Sequence, residues 1–425
     1  MKEVDILKIK KITKFILAAF TVILLGAGGF LLWYFRPVSA VTGQAPEEAY
    51  QNGTPAFYRR EQYYPLKRGT LNELPPDNGM GFDLRSYDVS EFPLADYAEK
   101  LSDVTFNSAT VWPDTLPDGF SPADVMETGK NPGLGIHKIH GLGYTGKNVS
   151  IAIIDQALNP DHVEYCNNIM GYELLHSFDM SAAMHGAAVA SIAVGKNCGV
   201  APDANLYYIS STFGTFTRKG TNIDLDYMAQ GIDRVLEINR MLPEDKKIRV
   251  ISISRGFGSG VKGSSKVEAA IERAKKENIF VITTTTAPNY GFRLMGLGRE
   301  MTADPDDIRS YGPGRFWRDN FYAGYADMED VLLVPMDART YASWTDTDGY
   351  EFGASGGLSW SVPWLAGLYA LCLEKNPSLT PDEFISKAFE TGVTQTIEHD
   401  GKSFPLGTII DPVALINERV VSETH

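Results

Sequence analysis

Three polar residues stand at the ends of apolar segments, where their side chains could together perform nucleophilic catalysis. Asp155 follows the apolar run 149–154, His185 opens a helical stretch of small residues, and Ser359 comes just after a glycine pair and before an apolar helix. A hydroxyl that is hydrogen-bonded to an imidazole, itself oriented by a carboxylate, attacks carbonyl carbon atoms. Each residue alone also has an ordinary interpretation, as a turn-capping Asp, a packing His and an N-cap Ser.

Strands and helices that alternate along the chain predict how these side chains are positioned. Short apolar or β-branched runs bounded by turn residues predict buried strands over residues 149–154, 206–209, 249–254, 279–285 and 331–336. Between them, helices are predicted over residues 185–194, 228–241, 265–276 and 361–373. This alternation predicts an α/β fold with a mainly parallel sheet and helices on both faces. In such sheets, catalytic residues gather beyond the carboxyl ends of the strands.

Five segments resemble the motifs of the subtilisin-like serine peptidases, the subtilase or S8 family, and they occur in that family's order. The segments are Asp155 with Asn159-Pro160-Asp161-His162, His185-Gly186-Ala187-Ala188-Val189-Ala190, Gly199-Val200-Ala201-Pro202, Ile251-Ser252-Ile253-Ser254-Arg255-Gly256, and Gly357-Leu358-Ser359-Trp360-Ser361-Val362-Pro363 with Leu365-Ala366-Gly367. The chain order Asp, His, Ser is that of subtilisin. The resemblance covers roughly residues 128 to 415 and implies a subtilisin-like three-layer α/β fold, with residues 128–425 as the catalytic domain.

The resemblance implies a serine endopeptidase with Asp155, His185 and Ser359 as its catalytic triad. Ser359 would attack the peptide carbonyl, His185 would carry the proton to the leaving amine, and Asp155 would orient the imidazole. Backbone groups of Ser254 and Gly256 would bind an extended peptide or protein substrate. We predict no cofactor and no metal in the active site. Structural calcium is common in such folds, but no acidic loop spacing here identifies a calcium site.

The oxyanion donor departs from the family pattern. Subtilases place an Asn after the fourth strand, whereas ungapped alignment over residues 279–286 puts Ala287 there, and Asn289 reaches the position only with a two-residue shift. Asn289 is therefore the predicted donor, with Thr286 or a further backbone amide as the alternatives. Loss of such a donor costs about 3 kcal/mol of transition-state stabilisation, or about 10² to 10³ in rate. A second hypothesis thus stays open: a slow or inactive pseudopeptidase that binds peptides or partner proteins through the cleft.

The N-terminal residues predict attachment to a membrane. Four lysines between residues 8 and 14 precede an uncharged run, residues 15–35, which is long enough as a helix to cross a bilayer. Because basic flanks stay inside the cell, we predict a cytoplasmic tail over residues 1–14 and a single-pass anchor or signal segment over 15–35, with the catalytic domain outside. Cleavage after Ala40 would instead secrete the protein. Residues 37 to about 80 lack a sustained period, and residues 82–116 have scattered apolar positions with a helix predicted over 94–101. We therefore predict a spacer and a possible pro-segment over residues 36–127.

The net charge excludes one class of partner. The chain has 39 basic and 53 acidic residues, a formal charge of −14 at pH 7. Such a surface repels the phosphate backbone, so we predict no nucleic-acid partner.

Overall fold

A computed structural model describes residues 39–417, with the exception of residues 59–61, 78–80, 178–180 and 218–219. The predicted cytoplasmic tail, residues 1–14, and the predicted membrane segment, residues 15–35, lie outside the described residues. Within the described ranges, no helix has both the length and the apolar character needed to span a bilayer. Membrane attachment therefore remains a prediction.

The described residues form helices and strands that alternate through much of the chain. The helices are α1 (Glu47–Gln51), α2 (Pro122–Lys130), α3 (Ile136–Gly141), α4 (Met184–Val194), α5 (Asp226–Met241), α6 (Ser264–Lys276), α7 (Ala287–Tyr290), α8 (Arg315–Tyr322), α9 (Leu358–Lys375), α10 (Pro381–Thr391) and α11 (Pro412–Asn417), with 3₁₀ helices at Leu94–Asp103, Glu244–Lys246 and Ile308–Ser310. The strands are β1 (Val41–Gly43), β2 (Ala56–Phe57), β3 (Phe82–Asp83), β4 (Val104–Asn107), β5 (Ser150–Asp155), β6 (Ile169–Ser177), β7 (Asn205–Ser211), β8 (Gly214–Thr217), β9 (Gly220–Ile223), β10 (Ile248–Ile253), β11 (Phe280–Thr283), β12 (Arg293–Arg299), β13 (Tyr311–Pro313), β14 (Val331–Pro335), β15 (Arg339–Ala342), β16 (Tyr350–Gly353), β17 (Thr396–His399), β18 (Lys402–Pro405) and β19 (Thr408–Ile409).

The central sheet is mainly parallel. Strands β6, β7, β5, β10 and β11 lie side by side in that order and run in the same direction, while β2 joins β6 in parallel and β1 joins it antiparallel. Every residue of β5 is buried, as expected of a parallel strand that is covered on both faces. The carboxyl ends of the five strands meet at one edge, where Asp155 at the end of β5 lies opposite Ser210 of β7.

Helices cover both faces of the central sheet. Neighbouring residues of a strand point to opposite faces, so Ile151 and Ile153 of β5 pack in one hydrophobic core with α4 and α9. Ala152 and Ile154 pack in a second core with α5 and α6. This arrangement confirms the predicted α/β fold with a mainly parallel sheet between two layers of helices.

A second sheet packs on the far side of α9. Its strands lie in the order β13-β12-β14-β19, and β12 and β14 both contact α9. The strand predicted over residues 331–336 is therefore present as β14, but it belongs to this second sheet and not to the central one.

The described residues that precede residue 128 pair and pack with later parts of the chain. Strands β1 and β2 extend the central sheet, and β3 and β4 join β15 and β16 in a sheet of order β15-β16-β4-β3. Leu84, Val104 and Phe106 pack against Phe352 of β16 in a third hydrophobic core. The described part of residues 36–127 therefore pairs with strands far along the chain, which local composition does not reveal. The division at residue 128, between a spacer with a possible pro-segment and a catalytic domain, stays a prediction.

Candidate active site

Asp155 and His185 form a hydrogen-bonded pair at the carboxyl edge of the central sheet. Nδ1 of His185 lies 2.6 Å from Oδ1 of Asp155, which also accepts the backbone N–H of Gln156 at 2.8 Å. The Asp155 side chain is 4% exposed and that of His185 is 24% exposed. An ionised carboxylate can only accept hydrogen bonds, so Nδ1 carries the hydrogen and Nε2 of His185 keeps its lone pair for a proton.

Helix α4 brings His185 to the end of β5 because the first turn of α4 lies close to the loop that follows β5. The N–H of Ala183, just before the helix, donates to the carbonyl oxygen of Ala157 at 2.8 Å. Gly186 permits this approach, since a Cβ at that position would lie 2.6 Å from the carbonyl oxygen of Gln156. Close packing against the loop after β5 therefore explains why a glycine follows His185 in the motif.

The surroundings of His185 raise its pKa. Burial opposes protonation of the imidazole, but the negative charge of Asp155 and the hydrogen bond to it outweigh burial, so the pKa of His185 lies above its ordinary value of 6.5. The neutral form, which acts as a base, therefore becomes dominant only at a pH above that value.

Ser359 lies in the first turn of α9, where a proline determines its hydrogen bonding. Pro363 has no N–H, so the carbonyl oxygen of Ser359 lacks its usual helical donor four residues on. The hydroxyl of Ser254, just after β10, donates to that oxygen at 2.7 Å, and the hydroxyl of Ser359 donates to the carbonyl oxygen of Ser254 at 3.3 Å. These two bonds attach the start of α9 to the carboxyl edge of the central sheet.

His185 and Ser359 line the same cavity, which has a volume of about 380 Å³. Among the described residues no hydrogen bond joins their side chains, because the hydroxyl of Ser359 points to Ser254. A serine hydroxyl changes direction by rotation about one bond, and catalytic hydrogen bonds are often loose before substrate binds. The structure thus brings the three predicted residues to one edge of the sheet, with the Asp155–His185 bond formed and the His185–Ser359 bond open.

Asn289, the predicted oxyanion donor, lies in α7 with its amide turned away from the cavity. Its Nδ2 donates to Oε1 of Glu272 in α6 at 3.0 Å, and Asn289 is absent from the residues that line the cavity. The structure therefore gives no support to Asn289 as the donor. The backbone N–H of Ser359 is a better-placed candidate, since the first N–H groups of a helix have no partner within the helix.

The backbone segment predicted to bind substrate, from Ser254 to Gly256, directly follows β10. The N–H of Arg255 donates to Ile253 and its carbonyl oxygen accepts the N–H of Thr284, so both backbone groups of Arg255 are occupied. In the described part of the chain, the N–H and carbonyl of Gly256 have no backbone hydrogen bond. Gly256 therefore offers a free donor and acceptor to an extended peptide, beside the Ser254 carbonyl that faces Ser359.

A comparison with protein families matches residues 146–291 to the Subtilase family, Peptidase_S8. This part of the chain is similar to the subtilase family. The matched range contains Asp155, His185 and Ser254 and ends before Ser359. The match confirms the predicted subtilisin-like α/β fold class.

Curated relatives extend the similarity along the chain. "Serine protease AprX" of Bacillus subtilis (strain 168) is 23% identical over 314 residues, which cover 64% of this chain and 66% of that protein. "Subtilisin NAT" of Bacillus subtilis subsp. natto is 25% identical over 251 residues, which cover 57% of this chain and 60% of that protein. The chain thus spans less than two thirds of the length of these relatives.

Solved structures also resemble the chain. A protease structure from Pseudoalteromonas arctica is 19% identical, with a TM-score of 0.46 over 68% of this chain and 94% of that one. "Structure of Prenylagaramide maturation protease PagA" is 15% identical, with a TM-score of 0.47 over 66% of this chain and 97% of that one.

Asp337 is a residue near the site that sequence reasoning missed. It lies between β14 and β15, is 2% exposed, and accepts the N–H of Gly356 at 2.7 Å and the N–H of Arg315 at 2.8 Å. Burial raises the pKa of Asp337 to about 6, although the two backbone hydrogen bonds act to lower it. Because Gly356 begins the loop that leads to Ser359, this carboxylate holds that loop in place. An acidic residue directly after an apolar strand was the only sequence signal for it.

We predict that Asp337→Asn lowers kcat by about tenfold and leaves KM nearly unchanged, since a small displacement of a reacting group affects mainly the chemical step. An amide has one acceptor atom in place of two, so one of the two N–H donors loses its partner. Steady-state kinetics on a peptide substrate measure both constants. Asp327→Asn, at an exposed ion pair with Arg293, is the matched control and should change neither. Equal loss in the two variants would contradict a positioning role.

Proposed function

We propose that the chain is a serine endopeptidase that hydrolyses peptide bonds of peptides or proteins, with Asp155, His185 and Ser359 as its catalytic residues. The observation that carries the proposal is the 2.6 Å contact between His185 and Asp155, with Ser359 on the wall of the same cavity. The similarity of residues 146–291 to subtilases supports the same chemistry.

In the proposed mechanism, Oγ of Ser359 bonds to the carbonyl carbon of the substrate while Nε2 of His185 takes the hydroxyl proton. The negative charge that develops on the carbonyl oxygen is stabilised by the N–H groups at the start of α9. Collapse of the intermediate breaks the C–N bond, and Nε2 passes its proton to the leaving amine. Water then hydrolyses the acyl-enzyme by the same route. The chemistry uses no metal ion or organic cofactor.

The Ser254–Gly256 edge supports binding of an extended main chain on one side of Ser359. The free N–H and carbonyl of Gly256 would pair with the substrate backbone, and the carbonyl of Ser254 would accept an N–H next to the scissile bond. Backbone pairing provides affinity without requiring particular side chains, so selectivity must arise elsewhere in the cleft.

We also propose that residues 15–35 anchor the chain in the cell membrane with the domain outside, or that cleavage after Ala40 releases it. The lysines before residue 15 and the uncharged run that follows support this orientation. Mass spectrometry of the mature N-terminus, in membrane and medium fractions, distinguishes the two. Intact protein found only in the cytosol would contradict both.

Reaction with a fluorophosphonate probe tests the proposed activity. Oγ of an activated serine displaces fluoride from phosphorus, so we expect one covalent adduct per full-length chain, assigned to Ser359 by peptide mass spectrometry. Circular dichroism establishes that the protein is folded. A folded chain that does not react would favour the alternative, a pseudopeptidase that binds peptides or partner proteins without cutting them.

A further inference from the structure

The cavity beside Ser359 has two walls of different origin. One wall belongs to the catalytic elements and includes His185 and Trp360. The other comes from the N-terminal segment and includes Asp83, Arg85 and Thr105. A part of the chain far from the catalytic motifs in sequence therefore shapes the space into which Ser359 opens.

The position of His185 identifies which half of a substrate this cavity receives. In the proposed mechanism His185 gives its proton to the leaving amine, so the residue that follows the scissile bond must lie on the His185 side. The cavity is lined by His185 and Ser359 but by neither Ser254 nor Gly256, which form the edge for the other half of the substrate. The cavity is thus placed for the first residue of the leaving group.

The chemistry of the lining favours a large apolar side chain. Tyr341 and Trp360 are 3% and 4% exposed, their rings lie 5.2 Å apart, and Met184 adds a further apolar contact surface. Aromatic and thioether groups attract apolar side chains through contact area and dispersion. A volume of about 380 Å³ is enough for a Leu or Phe side chain.

The charged groups of the lining are already paired with each other. Nε and Nη2 of Arg85 donate to the two carboxylate oxygens of Asp83 at 2.9 and 3.0 Å, and Nη1 donates to Glu351 at 2.9 Å. Asp83 also accepts Nη2 of Arg68 at 2.9 Å. A charged substrate side chain would have to compete with these bonds, so the cavity offers little gain to acidic or basic residues.

The N-terminal wall is fixed by strand pairing and packing. β4 pairs with β16, and its Val104 and Phe106 face the third core, which turns Thr105 to the opposite face and into the cavity. Gly81 has a φ of +88°, and a Cβ there would collide with the carbonyl oxygen of Asp103, so only glycine fits this corner. The wall is therefore a built part of the domain.

We infer that this cavity is the subsite for the substrate residue directly after the scissile bond, that it selects a large apolar side chain, and that residues 81–105 are its permanent wall. This inference rests on the proposed peptidase function. It implies that the active protein retains residues 81–105, even if a shorter N-terminal piece is removed.

Internally quenched peptides that differ only in the residue after the scissile bond test the inference. With the full-length protein, and with active sites counted by fluorophosphonate, we expect kcat/KM for Phe or Leu to exceed that for Gly, Asp and Lys by about tenfold or more. Thr105→Trp fills the cavity and should remove this preference, lowering the Phe-to-Gly ratio by about tenfold. Thr105→Leu should give an intermediate ratio.

Val111→Trp is the matched control, since Val111 follows Thr105 closely in the chain, is 51% exposed and does not line the cavity. It should keep the wild-type ratio. Because a ratio per labelled site does not depend on the fraction of folded protein, partial misfolding does not imitate the effect. A wild type that labels and cuts without preference, or a Thr105→Trp variant with the wild-type ratio, would overturn the subsite. A wild type that neither labels nor cuts would instead refute the proposed peptidase function.

Discussion

Ser359→Ala is expected to lower kcat by about 10⁶-fold and to abolish the fluorophosphonate adduct. The substitution removes the nucleophile, and only the contribution of substrate binding and oxyanion stabilisation remains. The fold should persist, because the 2.7 Å bond from Ser254 Oγ goes to the carbonyl of residue 359, which alanine keeps. Kinetics with a quenched peptide, together with the melting temperature, separate loss of chemistry from loss of structure.

Two other serines of the same region provide the controls. Ser361 lies on the same helix, is fully buried, and its hydroxyl has no hydrogen-bond partner among the described residues. Ser361→Ala therefore removes a polar group that costs stability, and kcat should stay near the wild-type value. Ser355 lines the same cavity and is flanked by glycine at position 356. If Ser355→Ala abolished labelling while Ser359→Ala retained it, the nucleophile would be Ser355 and the proposed triad would be wrong.

The elements that hold the site could be predicted where local pattern decides the structure. The apolar runs of β5, β7, β10 and β11 predict these strands to within two residues at either end. Their burial on both faces leaves a clear signal, because most positions of such a strand are apolar or β-branched. Asp155 stands out for the same reason, as the carboxylate that ends such a run.

Strand β6 could not be predicted in the same way, although it lies inside the central sheet. It contains Glu173 and His176, both buried, and polar residues in a sequence argue against a buried strand. Arg234 of α5 resolves the contradiction, since its Nε and Nη2 each donate to Glu173 at 2.9 Å. A buried Glu173 needs an ion-pair partner, and that partner, Arg234, lies 61 residues away in the chain. No local feature of the sequence identifies it.

Details of the site escaped prediction for a related reason. Helix α9 begins at Leu358, so Ser359 lies within its first turn, whereas the sequence pattern placed the helix start at residue 361. The bond between Ser254 and Ser359 depends on Pro363, whose missing N–H leaves a carbonyl for a distant hydroxyl. The sequence contains the proline, but only the spatial arrangement identifies the donor. Likewise, Asn289 is close in sequence to the expected position of the oxyanion donor, and only the structure shows that its side chain points to Glu272 of α6.

Asp155→Asn is expected to lower kcat by about 10⁴-fold with little change in fold. In the wild type, Oδ1 of Asp155 faces Nδ1 of His185 and also accepts the N–H of Gln156. An asparagine that turns its NH₂ to this position gives up the bond from Gln156, donates to Nδ1 of His185 and moves the ring hydrogen to Nε2. The imidazole then has no lone pair directed at Ser359 and cannot accept the hydroxyl proton. Asp203→Asn, at an exposed carboxylate bound to Thr145, should leave kcat unchanged.

The pH profile of Asp155→Asn tests whether the charge of Asp155 raises the pKa of His185. In the wild type the charge of Asp155 outweighs burial and raises the pKa of His185, so kcat/KM should rise with pH through a limb above 6.5. Without that charge, burial alone acts on His185 and lowers its pKa, so the residual activity of Asp155→Asn should reach its plateau at a lower pH. Profiles of kcat/KM from about pH 5 to about pH 9 measure this shift. A variant that kept the wild-type limb would mean that Asp155 does not control the base, because the sign of the shift follows directly from removal of the neighbouring negative charge.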